Sequence, residues 1–375
     1  MAVVFGAFLV IGMALPVLPL HVHDGLGFGT FVVGLVAGAQ FAASLVSRIW
    51  SGDYADSRGA KRAVVAGLCL ATGAGLLYHL SLGFVTTPIA SAAILLAGRA
   101  LLGGAESFVI TGAMAWGFGL VSASRAGKVI AWIGTAMYAA WALGAPFGIA
   151  LYARFGFFAV ALATTLIPLA TLLLASRLRP VAPLRRGRMP FRQVAGAIWL
   201  PGIGLAFSSI GFGAMVAFAT LFFVARGWTP AWLPFTAFAI AFIAARLFLG
   251  GLPDKFGGAR VALAFALIEA AGQALLWLAP SAALAVAGAA VTGFGYSLVY
   301  PGLGVEAVRR APVEGRGLAM GAYTASLDLA IGLASPLLGL LAVQAGLHAV
   351  FLVAALFALC TAPVALRLVR ARRPG

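Results

Sequence analysis

The chain has 375 residues, 63% of them hydrophobic and only 9% charged, with a mean hydropathy of +1.08. That is far too apolar for a water-soluble domain, so lipid must be its solvent. The net charge of +16 invites a nucleic-acid reading, but the basic residues are scattered among connections between apolar runs, with no folded soluble domain to present them, which argues against it.

Apolar runs of about 20 residues, the length needed to cross a bilayer as helix, occur at roughly 2–22, 30–50, 63–82, 88–113, 128–151, 157–176, 198–223, 232–250, 260–279, 282–304, 318–342 and 346–366. Barrel strands would show shorter, alternating segments, so the expected fold class is an all-α polytopic membrane protein with twelve transmembrane helices. All of the 25 Lys and Arg except Arg99, Arg154 and Arg226 fall at one set of ends or in the tail. By the positive-inside rule this places both termini in the cytoplasm, and the same residues attract anionic lipid headgroups. The run after Met1 lacks a basic leader and an obvious cleavage site, so it reads as an uncleaved first helix in a bacterial inner membrane. Cys69 and Cys360 fall within spans three and twelve and read as small buried apolar residues, with no disulfide framework implied.

Along the chain, span one carries Gly6, Gly12 and Pro16 and is followed by His21, His23 and Asp24. These three in one outer connection make a weak metal set, and a wet turn is the preferred reading, so no metal site is expected. Span two ends in Arg48, Gly52, Asp56, Gly59 and Arg62, which return 198 positions later as Arg246, Gly250, Asp254, Gly257 and Arg260. Five matches in one register, each set lying between two apolar runs, make the chain a duplication. Each copy is expected to be a tight polar turn, with Gly52 and Gly59 letting the backbone pass close to its neighbours, Asp56 accepting hydrogen bonds and Lys61 and Arg62 holding the turn at the cytoplasmic face.

The spacing Gly-x-x-x-Asp-x-x-Gly-x-x-Arg in both halves resembles the signature of the major facilitator superfamily, and the resemblance covers nearly the whole chain. Arg99 to Ser107 and Gly144 to Gly148 are more narrowly similar to the YhhS/YfcJ-like branch of bacterial inner-membrane exporters. The resemblance implies two pseudosymmetric six-helix bundles, with 1–176 as the first, 177–197 as a basic cytoplasmic linker and 198–375 as the second. It also implies that the repeated turns latch an inner gate, with Ser57 and Ala60 at positions that are usually basic.

In span four, Arg99 and Glu106 are seven residues apart, so on a helix they point the same way about 10 Å apart. Charges inside a span are costly and face a cavity or a partner. The resemblance gives Arg99 a part in proton coupling, with Glu106 as its protonatable partner; the alternative is a static ion pair. In span five, Gly144, Ala145, Pro146, Phe147 and Gly148 form a small-residue bend that suits helix rocking, and span eleven repeats it around Pro336 and Gly339. The second half adds two buried acids, Glu269 and Asp328. Around these acids, Gln40, Tyr138, Ser208, Ser209, Gln273, Tyr296, Tyr300 and Tyr323 form a set able to orient a polar or cationic solute.

There is no nucleotide motif, catalytic triad or metal signature, so no cofactor is expected. The leading expectation is a monomeric secondary transporter working by alternating access, most simply proton-coupled efflux of a small organic or drug-like solute. The alternatives are a proton-coupled importer of a sugar or organic acid and, from another class, a membrane receptor or intramembrane enzyme. Coupling would rest on Glu106, Arg99, Asp328 and Glu269, and gating on the repeated turn residues and Pro146. Solute contacts would come from Gln40, Glu106, Tyr138, Tyr296, Tyr300, Tyr323 and Asp328.

Overall fold

The computed structural model describes residues 1–120, 126–181, 191–312 and 316–371, and at 49, 126–128, 130, 131, 191–195, 316 and 317 the backbone alone. All regular structure among the described residues is helical: α1 Ala2–Leu20, α2 Thr30–Arg58, α3 Ala60–Leu82, α4 Pro88–Leu120, α5 Ala126–Ser176, α6 Phe191–Ala225, α7 Leu233–Leu249, α8 Leu252–Phe256, α9 Gly258–Leu278, α10 Ala282–Arg310, α11 Arg316–Ala345 and α12 Leu347–Arg370, with one π turn at His21–Gly25. Ten of these are long and apolar enough to cross a membrane, and Leu233–Leu249 is a shorter apolar helix. The 51-residue α5 contains a break at Gly156 (φ 70°, ψ −171°) that divides it into two arms, so it holds two of the expected spans.

The chain forms two compact units, Met1–Gly187 and Arg188–Gly375. In the first, α1 packs along α5, α3 lies against α4 and α5, and α2 lies against α4; in the second, α6 packs on α11 and α12, α9 on α10 and α12, and α7 on α10. All of α1 except Ala2, Phe5 and Leu9 is buried, as expected of a helix that is apolar on every side. Its close approach to α5 depends on the small residues of the span-five bend. A Cβ on Gly144 would lie 2.8 Å from the Gly12 carbonyl carbon, and one on Gly12 2.7 Å from the Trp141 Cα.

Backbone geometry carries the duplication further than sequence identity does. Among the described residues, six glycines have positive φ, Gly27, Gly59, Gly156, Gly227, Gly257 and Gly346, and they fall into the pairs Gly27/Gly227, Gly59/Gly257 and Gly156/Gly346. Gly59 (φ 99°, ψ 149°) and Gly257 (φ 90°, ψ 134°) occupy nearly the same conformation at the starts of α3 and α9, a region that side chains with a Cβ avoid.

Three expectations are corrected. The first repeat is not a turn over its length: α2 continues through Gly52, Asp53 and Asp56 to Arg58, and only Gly59 reverses the chain. A Cβ on Gly52 would meet nothing within 4 Å, so no close approach requires glycine there. In the second repeat Pro253 stands where the first has Ala55; proline donates no backbone hydrogen bond, and α7 ends at Leu249 with the separate turn α8 beginning just before the proline. The cysteines, expected to be buried, are both exposed, because a small apolar side chain suits hydrocarbon outside a membrane bundle as well as the core within it.

Candidate functional site

The polar interior of the first unit is concentrated where α2 meets α4. Gln40 Nε2 donates to Glu106 Oε2 at 2.7 Å, and Arg99 Nε donates to the Val36 carbonyl at 3.4 Å. Further along the same two helices, Ser51 Oγ lies 3.0 Å from Ser107 Oγ and 3.2 Å from Thr111 Oγ1. Val36, Gln40, Ser44, Ser47 and Ser51 recur every three or four residues, which puts them on one helical face. The helices approach closely because Gly103 has no side chain: a Cβ there would collide with the Gln40 carbonyl. Gln40, Arg99 and Glu106 are all buried.

Arg99 and Glu106 therefore share a helix face, as their spacing implied, but they do not form a direct ion pair. Seven residues of helix rise about 10 Å, and each finds a different partner on α2. Reading the sequence for charges missed Ser51, Ser107 and Thr111; the small polar residues repeating along α2 were the available signal.

The equivalent crossing in the second unit is aromatic. Gly293 meets the Phe238 carbonyl as Gly103 meets that of Gln40, and Glu106 is replaced by Tyr296. The Tyr296 ring lies 5.3 Å from Phe212, 6.4 Å from Phe238 and 6.0 Å from Phe242 between centroids. Tyr296 and Tyr323 are buried within this unit. Tyr323 donates to the Tyr300 carbonyl at 2.8 Å, and the Tyr300 hydroxyl lies 2.7 Å from Thr324 Oγ1, joining α10 to α11. Asp328 is buried one turn further along α11. Tyr138 stacks edge-on to Trp141 at 5.2 Å in α5.

Glu269 is in a different setting, between α9 and α6, where it accepts from Ser208. Gln273 Nε2 donates to the Gly211 carbonyl at 3.0 Å. A fourth buried acid, Glu306, lies beyond the expected end of span ten. Because α10 continues to Arg310, Glu306 is enclosed, accepting from the Ala259 N–H at 3.2 Å and from Arg309 at 2.9 Å. It thus satisfies a free donor in the first turn of α9.

At the repeated motif, Asp56, Arg62, Asp254 and Arg260 are exposed. Gly250 has ordinary helical dihedrals (φ −58°, ψ −20°) at the end of α7, and Pro146 is half-buried inside α5. Lys61 Nζ donates to the carbonyls of Ser176 and Leu178 at 2.7 and 2.6 Å, and Trp116 Nε1 to that of Arg179 at 3.2 Å. The motif region therefore holds the last carbonyls of α5 and the first residues of the basic linker. The middle of that linker, with Arg185, Arg186 and Arg188, lies outside the described residues.

The histidines near α1 do not assemble a metal site. His21 stacks on Phe157 at 3.9 Å, while His23 Nδ1 lies 2.7 Å from the Phe28 carbonyl. Among the described residues no three His, Cys, Asp or Glu converge. A cavity of about 720 Å³ in the second unit, lined by Trp199, Phe207, Leu333, Leu337 and Phe357 of α6, α11 and α12 with Ser326 as its polar residue, includes none of the charged candidates.

Two apolar units with matching turns and buried charges define a multi-pass membrane transporter fold. The Major Facilitator Superfamily model matches residues 1–235 and 227–375, and the chain belongs to that family. It is 43% identical to an uncharacterized MFS-type transporter of Salmonella typhimurium over 98% of this chain and 95% of the relative. It is 41% identical to the uncharacterized MFS-type transporter YhhS of Escherichia coli over 94% of this chain and 87% of the relative. Among solved structures, a D-xylose–proton symporter superposes with a TM-score of 0.80 at 15% identity, covering 98% of this chain and 96% of that one, which shows the shared fold.

Proposed function

We propose that this chain is a proton-coupled exporter of a small organic or drug-like solute, working by alternating access in a bacterial inner membrane with both termini cytoplasmic. The observation that carries this reading is Glu106, a buried carboxyl hydrogen-bonded by Gln40 on the same helix face as Arg99. A carboxyl in this position changes charge when it gains a proton, so proton and solute can compete for it. Arg99 places a buried positive charge on the same helix, and Gln40 holds the carboxyl in place. Asp328 is the candidate second acid. Of the aromatic candidates, Tyr138 and Tyr300 are the more exposed, while Tyr296 and Tyr323 are buried within their bundle. The solute leaves chemically unchanged.

A thermal-shift screen of purified protein against organic cations, organic anions and sugars identifies a ligand, since binding at about 100 times Kd adds roughly 2.7 kcal/mol of stability. The ligand is then tested in proteoliposomes with an imposed pH gradient. Solute movement against the proton flux supports export by antiport; movement with the protons supports import, and flux indifferent to the gradient removes proton coupling altogether.

The import reading has its own support. Arg99 Nη1 is buried without a hydrogen-bond partner, which suits an anionic solute, and a neighbour in fold is a D-xylose–proton symporter. The direction of flux under the gradient separates the two readings.

A further inference from the structure

The buried polar cluster of the second unit has more acceptors than donors. Glu269 is fully buried on α9, with Oε2 accepting a hydrogen bond from the Ser208 hydroxyl, and Oε1 has no partner. One turn along, Gln273 is also fully buried. Its amide orientation is fixed because Nε2 donates to the Gly211 carbonyl at 3.0 Å, which leaves Oε1 without a donor. The two side chains stand at i and i+4 on one helix face and converge on one point of α6: a Cβ on Gly211 would lie 2.5 Å from Glu269 Oε1 and 3.1 Å from Gln273 Nε2. Ser209, beside Ser208, is turned toward the Tyr296 hydroxyl at 3.3 Å. No Lys, Arg or His nitrogen among the described residues lies within ion-pair distance of Glu269.

We propose that Glu269, Ser208 and Gln273 form a proton-binding site internal to the second bundle, in which Glu269 is held as a neutral carboxylic acid whose Oε1–H points to Gln273 Oε1. One proton gives both orphaned acceptors, which belong to side chains one helical turn apart on α9, a hydrogen bond in common. It also removes the need for a counter-charge that the surrounding helices do not provide. The four groups then run as one chain, from Ser208 to Glu269 to Gln273 to the Gly211 carbonyl, every link joining α6 and α9 or staying within α9. The site is a clamp between those helices, and Glu269 does not cycle its proton during transport. This is independent of whether Glu106 couples flux to protons.

Glutamine is the discriminating substitution. In Glu269→Gln the amide oxygen accepts from Ser208 and the amide nitrogen donates to Gln273, reproducing the neutral acid bond for bond. The full-length protein with Glu269→Gln should melt with the wild type, whereas Glu269→Ala, which leaves a cavity and strands both partners, should melt lower. Infrared difference spectra should show a protonated-carboxyl C=O stretch in the wild type at neutral pH that is missing in Glu269→Gln. Absence of that band, or Glu269→Gln melting as low as Glu269→Ala, overturns the proposal. Melting in sodium chloride is compared with choline chloride. Equal values are expected, and a sodium-specific rise that Glu269→Gln abolishes overturns the proton in favour of a cation site.

Discussion

Gln40 on α2 and Glu106 on α4 are joined by a 2.7 Å hydrogen bond between two buried side chains, and the corresponding pair of the second half is Phe238 and Tyr296, two rings 6.4 Å apart. One ancestral helix crossing has become polar in one copy and aromatic in the other. The crossing geometry survives because Gly103 and Gly293 keep the backbones close in both, while the chemistry has separated. The crossing thus carries a carboxyl in the first half and a phenol at the same place in the second.

Glu106→Gln should leave the protein folded and abolish proton-driven solute accumulation in proteoliposomes. Glutamine keeps the shape and a hydrogen bond to Gln40 but cannot titrate. Exchange of labelled for unlabelled solute, which needs no net proton movement, should persist. Accumulation under a pH gradient at the wild-type level would remove Glu106 from coupling.

Arg99→Ala should also lose transport, for a different reason. The guanidinium does not touch Glu106, so its effect is through the local field and through its bond to the Val36 carbonyl on the same helix as Gln40. Arg99→Lys, which retains the charge, should keep more transport than Arg99→Ala. Wild-type transport by Arg99→Ala would leave the residue a packing element.

Much of this was legible in the sequence, and what was not has physical reasons. The twelve spans and the duplication follow from hydropathy and from five residues repeated at one offset, because lipid imposes length and apolarity on every crossing. The path of the first motif was not legible, since Gly52 and Asp56 look like turn residues yet sit in an unbroken helix; only the proline in the second copy makes a break obligatory there. Partner choice was also hidden. Spacing put Arg99 and Glu106 on one face, but it could not show that α2 supplies a carbonyl to one and an amide to the other. Glu306 escaped notice because its burial depends on α10 running two turns beyond the apolar segment.

Gly103→Ala should destabilise the first bundle, whereas Gly104→Ala should not. A Cβ at 103 would enter the space of the Gln40 carbonyl, while one at 104 meets only the end of Leu70 at 3.7 Å. Forcing the α2–α4 contact apart should cost about 1–3 kcal/mol and also lengthen the Gln40–Glu106 bond, so Gly103→Ala should melt lower and transport poorly. Equal melting temperatures for the two variants would mean that the crossing yields without strain.

The repeated motif gives the sharpest internal comparison, because Gly52 and Gly59 belong to one signature yet occupy different conformations. Gly59, like Gly257, has positive φ with ψ near the extended range, where a non-glycine residue carries about 1–3 kcal/mol of strain. Gly59→Ala and Gly257→Ala should each lower the melting temperature by similar amounts, with nearly additive effects since they lie in separate compact units. Gly52 is helical and its Cβ position is open, so Gly52→Ala should be neutral or raise stability by about 0.5–1 kcal/mol. If Gly52 serves gating as the family signature implies, its alanine variant will be a stable protein with slow turnover, a combination that strain cannot produce. Thermal melting and initial rates of solute exchange on the same preparations decide this. A Gly52→Ala protein that is both stable and fully active would leave that glycine without a role, and one that melts as low as Gly59→Ala would contradict the helical path of α2.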